Sequence, residues 1–227
     1  MKILAVYPLH NQDIRIQPLF SIIHKFLASF IDEHLFINEN SNDQTAHVAK
    51  LEYEKLKKPF KYIDINRETN RAESFITALE YAKSREFDYI IFFNEGWEDN
   101  IYEMLSIIRS KEFLPYNLTT SVRKTKDFSI GSLLDKLCSI LISLRFKVVI
   151  QDTKGDSINI VRVKELELSE SFKKDIINLK ENYYLLVLKK LRKHLFFTDV
   201  DNGYNSSSFL KLNLRRFCAC LYFSLKR

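Results

Sequence analysis

Glycine is scarce in this chain. The 227 residues include four glycines, and no two of them are close together: Gly96, Gly131, Gly155 and Gly203. The phosphate loops of P-loop and dinucleotide-binding proteins need several closely spaced glycines, so that backbone amides can approach a phosphate. The sequence therefore argues against both kinds of glycine-rich loop.

Cysteine and long apolar runs are also lacking. The three cysteines have no even count and no metal-ligand spacing, and the five histidines have no ligand spacing either. This pattern predicts reduced thiols in a cytoplasmic protein. No run reaches the roughly 18 apolar residues that a membrane span needs, and the opening Met1–Tyr7 is too short for a signal peptide.

Acidic residues are sparse in the C-terminal part. Residues Glu181–Arg227 contain nine Lys or Arg and three Asp or Glu, which accounts for the whole net charge of +6. Such a segment predicts a phosphate-bearing partner: nucleic acid, an anionic membrane surface or a lipid phosphate. The apolar and basic mixture in Phe209–Leu225 is typical of a helix lying on an anionic membrane, with docking on the protein's own core as the alternative. Nucleic acid is disfavoured, because aliphatic residues interrupt the charge and no nucleic-acid-binding module is recognisable.

The stretch Phe87–Asn100 organises the predicted fold. The residues Asp88–Phe93 are almost all apolar or aromatic, and polar residues follow at once. This pattern is typical of a buried central strand that ends at a ligand-binding edge. Further strands are predicted at Lys2–Tyr7, Leu35–Ile37, Phe60–Ile65, Asn117–Val122 and Ile158–Val163. Helices are predicted at Ile14–Ile31, Thr45–Lys57, Asn70–Ser84, Asn100–Ser110, Ile130–Leu144 and Phe209–Leu225, with a helix or strand at Tyr183–Leu195 and a loop at Asp199–Ser208. This alternation predicts an α/β fold with a mostly parallel sheet flanked by helices.

The order of the polar loop residues resembles family-2 glycosyltransferases with the Rossmann-like GT-A fold. That family opens with a strand and Pro-x-x-Asn, similar to Pro8-Leu-His-Asn11 here. Its second strand ends in acidic residues before Gly-Ser-x-Asp-x-Thr, and Glu39–Thr45 keeps the Ser, Asp and Thr at those steps. Asn66 stands at the family's Asn-x-Gly, with the glycine lost, and Asp88–Gly96 resembles Asp-Tyr-x-x-x-x-Asp-x-Asp.

The second half is most similar to polyprenyl-phosphate sugar transferases of the dolichyl-phosphate mannose synthase type. Their order of Ser-Arg, a Ser-led helix, Asp-x-x-x-Gly and Arg is matched by Ser121-Val-Arg123, Ser132, Asp152–Gly155 and Arg162, with the step from Asp to Gly one residue shorter. The resemblance implies a glycosyltransferase domain over residues 1–166 and a helical, basic segment over 167–227. It also implies transfer of a sugar from a nucleotide-sugar donor to a lipid phosphate or a related cell-envelope glycan, at the inner face of the membrane.

The resemblance assigns charge neutralisation to the end of the central strand. A divalent cation, Mg²⁺ or Mn²⁺, held by two aspartates normally balances the pyrophosphate that leaves the donor. Here Asn94 and Gly96 take those places, which weakens a metal site or moves it to Glu95, Glu98 or Asp99. Cationic side chains offer the alternative; the candidates are Arg123, Lys124, Lys126 and Arg145. The acidic residues can also simply begin a helix, where they suit its dipole.

The resemblance also assigns residues to the two substrates. Glu39 would accept hydrogen bonds from the nucleotide base or ribose, while the rest of its loop caps the next helix. The remaining candidates for donor binding are Pro8, Asn11, Ser41, Asn66, Asn94 and Glu95. Asp152 would lie near the acceptor, and Arg162 and Ser132 would hold the acceptor phosphate. The alternative function is a GT-A protein without catalysis, acting as a binding or scaffold partner.

Overall fold

A computed structural model describes residues 1–56, 58–65, 70–94, 101–124, 130–147, 149–150, 158–179, 183–191 and 195–201. The strands are β1 Ile3–Leu9, β2 Glu33–Asn38, β3 Phe60–Asp64, β4 Tyr89–Phe93, β5 Leu118–Lys124, β6 Ile158–Arg162 and β7 Leu195–Asp201. The α-helices are α1 Asp13–Ile22, α2 Thr45–Tyr53, α3 Arg71–Ser84, α4 Ile101–Ser110, α5 Ile130–Phe146, α6 Glu170–Leu179 and α7 Tyr183–Leu191. A π-helical turn, Ile23–Leu27, follows α1, and a 3₁₀ turn, Val163–Glu165, follows β6.

The seven strands of the described ranges form one sheet in the order β3-β2-β1-β4-β6-β5-β7. All adjacent pairs are parallel except those that involve β6, which runs antiparallel to both β4 and β5. The predicted α/β class and mostly parallel sheet are confirmed. The strand order reverses beside β1, which has β2 on one side and β4 on the other, and ligands of open α/β folds bind at such reversals.

Helices cover both faces of the sheet, which explains why its central strands are apolar throughout. All five residues of β4 are buried, as expected for the central strand. One core lies between the sheet and α3, α5, α6 and α7, and the other lies between the sheet and α1, α2 and α4. No helix among the described residues is long and apolar enough to cross a bilayer.

Several boundaries differ from the sequence prediction, and the differences in β1 and β7 change the sheet. The first strand continues through Pro8 to Leu9. The Leu9 carbonyl accepts from the Glu39 amide on the β2 side, so the missing N–H of Pro8 faces β4, where pairing ends at Val6. Residues 199–201, predicted as loop, belong to β7, which pairs with β5 through Asp201. The proposed division at residue 166 stays a prediction, although α6 and α7 pack on the same core as α3.

Candidate functional site

The candidate site lies where β1, β2, β3 and β4 end. Leu9 pairs with Asn38, and Asn38 pairs with Asp64, so the residues that follow these strands meet at one edge of the sheet. The Phe93 ring, at the end of β4, stacks on Tyr7 with 4.9 Å between ring centroids. The described polar residues at the ends of these four strands therefore share the edge at which the strand order reverses.

Hydrogen bonds join the loop after β1 to the loop after β2. The Asn11 amide donates to Ser41 Oγ at 3.1 Å, and the Asn11 side chain accepts from the Asn42 amide at 2.9 Å. The backbone of Asn11 has a φ of 49°, a left-handed conformation that asparagine tolerates better than most residues. The His10 ring bonds to the Glu39 carbonyl at 2.8 Å. These bonds bring Asn11 and Ser41 together, and His10 joins them.

The same loops begin the helices that follow. The Thr45 hydroxyl accepts from the Gln12 amide at 2.6 Å, and the Asp43 carboxylate accepts from the amides of Thr45 and Asp13 at 2.9 and 3.3 Å. Burial acts to raise the pKa of Asp43, but these hydrogen bonds outweigh it and lower that pKa. The predicted capping role of this loop is therefore compatible with a ligand at Glu39.

Glu39 is a buried carboxylate that the fold places at this edge. Its side chain is 7% exposed, and its Oε1 accepts from the Ser74 hydroxyl at 2.6 Å and lies 3.5 Å from Arg71 Nε. Both partners come from the first turn of α3, which Asn70 caps by accepting from the Glu73 amide at 3.2 Å. Glu39 Oε2 has no partner among the described residues, so it can accept from a ligand.

A second polar group lies at the ends of β2 and β3. Asn38 is buried, donates to Asp64 Oδ1 at 2.8 Å and accepts from the Ser41 hydroxyl at 2.6 Å. Tyr62 donates to the same Asp64 oxygen at 3.0 Å, and Lys50 lies 3.5 Å from the other oxygen. Burial, followed by the nearby Asp64, raises the pKa of Tyr62, so it is a donor at neutral pH. This group fixes Ser41 and hence the loop beside Glu39.

The described residues do not form a metal site. No group of three or more His, Cys, Asp or Glu able to hold an ion occurs among them. Asn94 is buried at the end of β4 and offers at most one neutral oxygen. Glu95, Glu98 and Asp99 lie outside the described residues, so a metal site built from them stays a prediction.

Predicted site residues of the second half lie on β5 and α5. Arg123 is in β5 and Ser132 is in the first turn of α5, while the half-buried Arg145 is in its last turn. Ser132 and Arg145 are thirteen positions apart, or about 20 Å along a helix, so one phosphate cannot contact both. The predicted residues Asn66, Lys126 and Asp152 lie outside the described residues, as does the segment 202–227.

The structure places Arg162 at the edge of the sheet opposite these loops, and its contact with an acceptor phosphate stays a prediction. Because β6 is antiparallel, its last residue pairs with Tyr89, the first residue of β4, at the opposite edge of the sheet. Arg162 donates to the Tyr89 hydroxyl at 3.0 Å and to the Leu114 carbonyl, and its guanidinium lies over the Tyr89 ring. It ties the loop before β5 to the sheet.

Sequence reasoning missed four residues of the edge: His10, Asp64, Arg71 and Ser74. His10 directly precedes Asn11, and Asp64 is the next-to-last residue of a predicted strand, so position alone could have found both. Arg71 and Ser74 could have been found from the cap at Asn70. Positions one and four of a helix that starts beside a sheet edge lie in its first turn, near that edge.

Comparison with solved structures finds the same fold at low sequence identity. Glucosyl-3-phosphoglycerate synthase from Mycobacterium tuberculosis, in complex with Mn²⁺, UDP and glucosyl-3-phosphoglycerate, matches with a TM-score of 0.64, 12% identity, and coverage of 98% of this chain and 79% of that one. Its UDP complex matches with a TM-score of 0.66 at 12% identity, covering 98% and 80%. Its complex with Mn²⁺, UDP-glucose and phosphoglyceric acid matches with a TM-score of 0.61 at 15% identity, covering 98% and 79%. No protein-family model and no curated sequence matches the chain. The GT-A fold predicted from the sequence is confirmed.

Proposed function

We propose that this protein is a glycosyltransferase that moves a sugar from a nucleotide-sugar donor to a lipid phosphate, such as a polyprenyl phosphate, or to a related cell-envelope glycan. The observation that carries the proposal is Glu39, a buried carboxylate with one oxygen left for a ligand, at the strand-order reversal of a GT-A fold. The solved relatives, named for a sugar transfer and crystallised with UDP or UDP-glucose, support the reaction class.

The donor's nucleoside would lie against Glu39. A buried carboxylate is a strong acceptor for a ring N–H or for ribose hydroxyls. Arg71 and Ser74 hold its Oε1, so Oε2 is directed by two fixed contacts. Asn11 and Ser41 would fix the loop on the other side of the same ligand.

The chemistry is a displacement at the anomeric carbon of the sugar. An oxygen of the acceptor attacks that carbon, the bond to the donor's β-phosphate oxygen breaks, and the nucleoside diphosphate leaves. A phosphate acceptor is already anionic near neutral pH, so it needs positioning more than deprotonation. Asp152 and Arg123 are proposed near the acceptor, with Arg145 as a further candidate.

The sequence offers two means of neutralising the negative charge of the leaving nucleoside diphosphate. One is Mg²⁺ or Mn²⁺ held by Asn94, Glu95 and Glu98, in keeping with the Mn²⁺ in the solved relatives. The other is a cationic clamp led by Arg123 and Lys124. The basic tail Phe209–Arg227 is proposed to hold the protein at the inner face of the membrane, where a lipid acceptor would be found.

The scaffold alternative is favoured by one observation. The position that corresponds to the first aspartate of Asp-x-Asp is Asn94, and Gly96 replaces the second. A protein of this kind could retain the nucleotide site at Glu39 without turnover.

Calorimetric titration of the full chain with UDP, GDP and their sugar conjugates, each with and without Mn²⁺, tests the proposal. We expect binding of one nucleoside diphosphate, and metal dependence would identify the balancing group. Transfer from the bound donor is then assayed with a polyprenyl phosphate and, as a competing acceptor, with phosphoglycerate. No nucleotide binding under any condition overturns the proposal, and binding without transfer or donor hydrolysis favours the scaffold.

A further inference from the structure

Helix α5 presents an apolar row to solvent. Leu133, Leu137, Ile140 and Leu144 are 59%, 39%, 55% and 72% exposed. Their steps of four, three and four residues place them on one face of the helix, over a length of about 16 Å. We call these four residues the α5 stripe. Single exposed leucines are ordinary, but an aligned row of four marks a contact surface.

The orientation of α5 is fixed by its other face. Cys138, Ile142 and Phe146 are buried in the core beneath the sheet. Beyond the helix, Ser143 Oγ accepts from the Ile150 amide at 2.8 Å and so holds the following segment against α5. Val149 in that segment is 74% exposed and adds to the apolar surface. The stripe therefore faces outward while the helix remains packed.

Exposed cations border the stripe, and the sequence of this region is basic. The segment Arg123–Lys147 carries six Lys or Arg and two acidic residues, Asp127 and Asp135. Lys136 on α5 and Lys147 directly after it are both exposed, near the two ends of the stripe. An apolar row bordered by cations is the pattern of a helix that lies in the interface of an anionic bilayer.

Three candidates for covering this row are the C-terminal segment, a second copy of the chain and a lipid surface, and charge distinguishes them. Residues 202–227 carry five Lys or Arg and no Asp or Glu, so docking this segment on α5 would bring like charges together. A symmetric contact between two copies would set the same cations against each other. An anionic lipid surface is complementary to both the row and its border.

We propose that the α5 stripe lies on an anionic membrane surface, as a second contact beside that of the C-terminal segment. Two modest contacts are what stable peripheral attachment requires. Because α5 follows β5 after five residues, the contact would hold the Arg123 end of β5 near the bilayer. Only this link to a lipid acceptor rests on the proposed function, since membrane binding itself does not require sugar transfer.

Flotation of the full chain with two kinds of vesicle tests this contact. One kind is phosphatidylcholine alone, and the other is phosphatidylcholine mixed with phosphatidylglycerol, each at low and high salt. We expect binding to the anionic vesicles that high salt weakens. The double variant Leu137→Gln/Leu144→Gln should lower the partition coefficient at least about tenfold, because two leucines lose their apolar contact.

Leu51→Gln is the matched control. Leu51 is 51% exposed and lies on α2, whose buried Ala49 packs in the other core. This control should change partition less than about twofold, and urea titration and nucleotide binding of all variants should match the unaltered chain. Three results would each overturn the proposal. The unaltered chain does not bind vesicles, or the double variant binds them as well as the unaltered chain does, or the double substitution abolishes self-association of the chain and leaves vesicle binding unchanged. Retained nucleotide binding in these samples would leave the donor site of the proposed function intact even if the membrane contact fails.

Discussion

Two buried glutamates, one at each end of β2, have similar surroundings at opposite edges of the sheet. Glu33, at the first residue of the strand, is 5% exposed, and Glu39, just after its last residue, is 7% exposed. Each contacts one hydroxyl and one arginine of α3 or its C-terminal end. Glu33 contacts Tyr81 and Arg85 near the end of that helix, and Glu39 contacts Ser74 and Arg71 at its start.

The two carboxylates differ in which oxygens are used. In Glu33, Tyr81 donates to Oε1 and Arg85 donates to Oε2 at 3.3 Å, so both oxygens are engaged. In Glu39, both contacts fall on Oε1. Similar sets of residues thus tie α3 to the sheet at one edge and leave an acceptor for a ligand at the other. Residue type alone does not distinguish these roles.

The largest expected effect separates the two glutamates by ligand binding. Glu39→Gln keeps the shape but removes the charge that a nucleoside would meet. We expect the Kd of the nucleoside diphosphate that binds the unaltered chain to rise about tenfold to a hundredfold, as for a lost hydrogen bond to a charged group. Calorimetric titration measures it.

The matched change is Glu33→Gln. It should leave that Kd within about twofold and lower the free energy of unfolding by about 1 kcal/mol, because Arg85 is 55% exposed and its ion pair is screened. Equal Kd values for Glu39→Gln and the unaltered chain would remove the distinction between the two sites.

His34, next to Glu33 on the same strand, gives the next effect. Burial, followed by the charge of Lys58, lowers the pKa of His34 to about 4 from 6.5. Its Nδ1 lies 3.2 Å from the Tyr7 hydroxyl, and its Nε2 has no partner among the described residues. The unfolded chain binds the proton more readily, so the stability due to neutral His34 is present above pH 6.5 and is lost as the pH falls towards 4.

Urea titrations at pH 7 and pH 5 measure this loss. We expect His34 to contribute about 2 kcal/mol of the fall in unfolding free energy between these values. His34→Phe should remove that part of the fall, whatever its cost at a single pH. His24→Gln, at an exposed position, should leave the pH dependence unchanged. An unaltered slope in His34→Phe would assign the acid sensitivity to other groups.

The first half of the chain was predictable from sequence because its signals are local. Apolar runs that end in polar residues located β1, β2 and β4, and they placed Glu39 at a strand end. The cap at Asn70 could have placed the partners of Glu39 near this edge, but their contacts with Glu39 were not predictable from apolar runs. Ser74 lies 35 residues further along, and its contact depends on how α3 crosses the sheet.

The second half shows where such signals fail. Strand direction cannot be read from an apolar run, and the antiparallel course of β6 moved Arg162 to the opposite edge. Helix α5 is apolar on most of its circumference, so its periodicity identifies a helix without showing which face packs. The face centred on Leu137 is exposed, and the face centred on Ile142 is buried.

Removing one hydroxyl from each group gives a smaller effect. Ser74→Ala should raise the Kd of the nucleoside diphosphate about threefold to tenfold, since Glu39 loses its shortest contact and is less well oriented. Tyr81→Phe should leave that Kd unchanged and lower the free energy of unfolding by about 1 kcal/mol. Titration and urea unfolding of both variants measure the contrast, and weaker binding in Tyr81→Phe would show that the two edges are coupled through α3.

The smallest expected effect concerns the loop directly after Glu39. Asn40 has a φ of 52°, in the left-handed region, where glycine has no steric cost but a larger loss of entropy on folding. Asn40→Gly should therefore change the free energy of unfolding by less than about 0.5 kcal/mol. Asn11→Gly, at a φ of 49°, should cost about 1 kcal/mol, because the Asn11 side chain also accepts from the Asn42 amide. Urea titration distinguishes them, and equal values would mean that backbone conformation, rather than this hydrogen bond, holds the two loops beside Glu39.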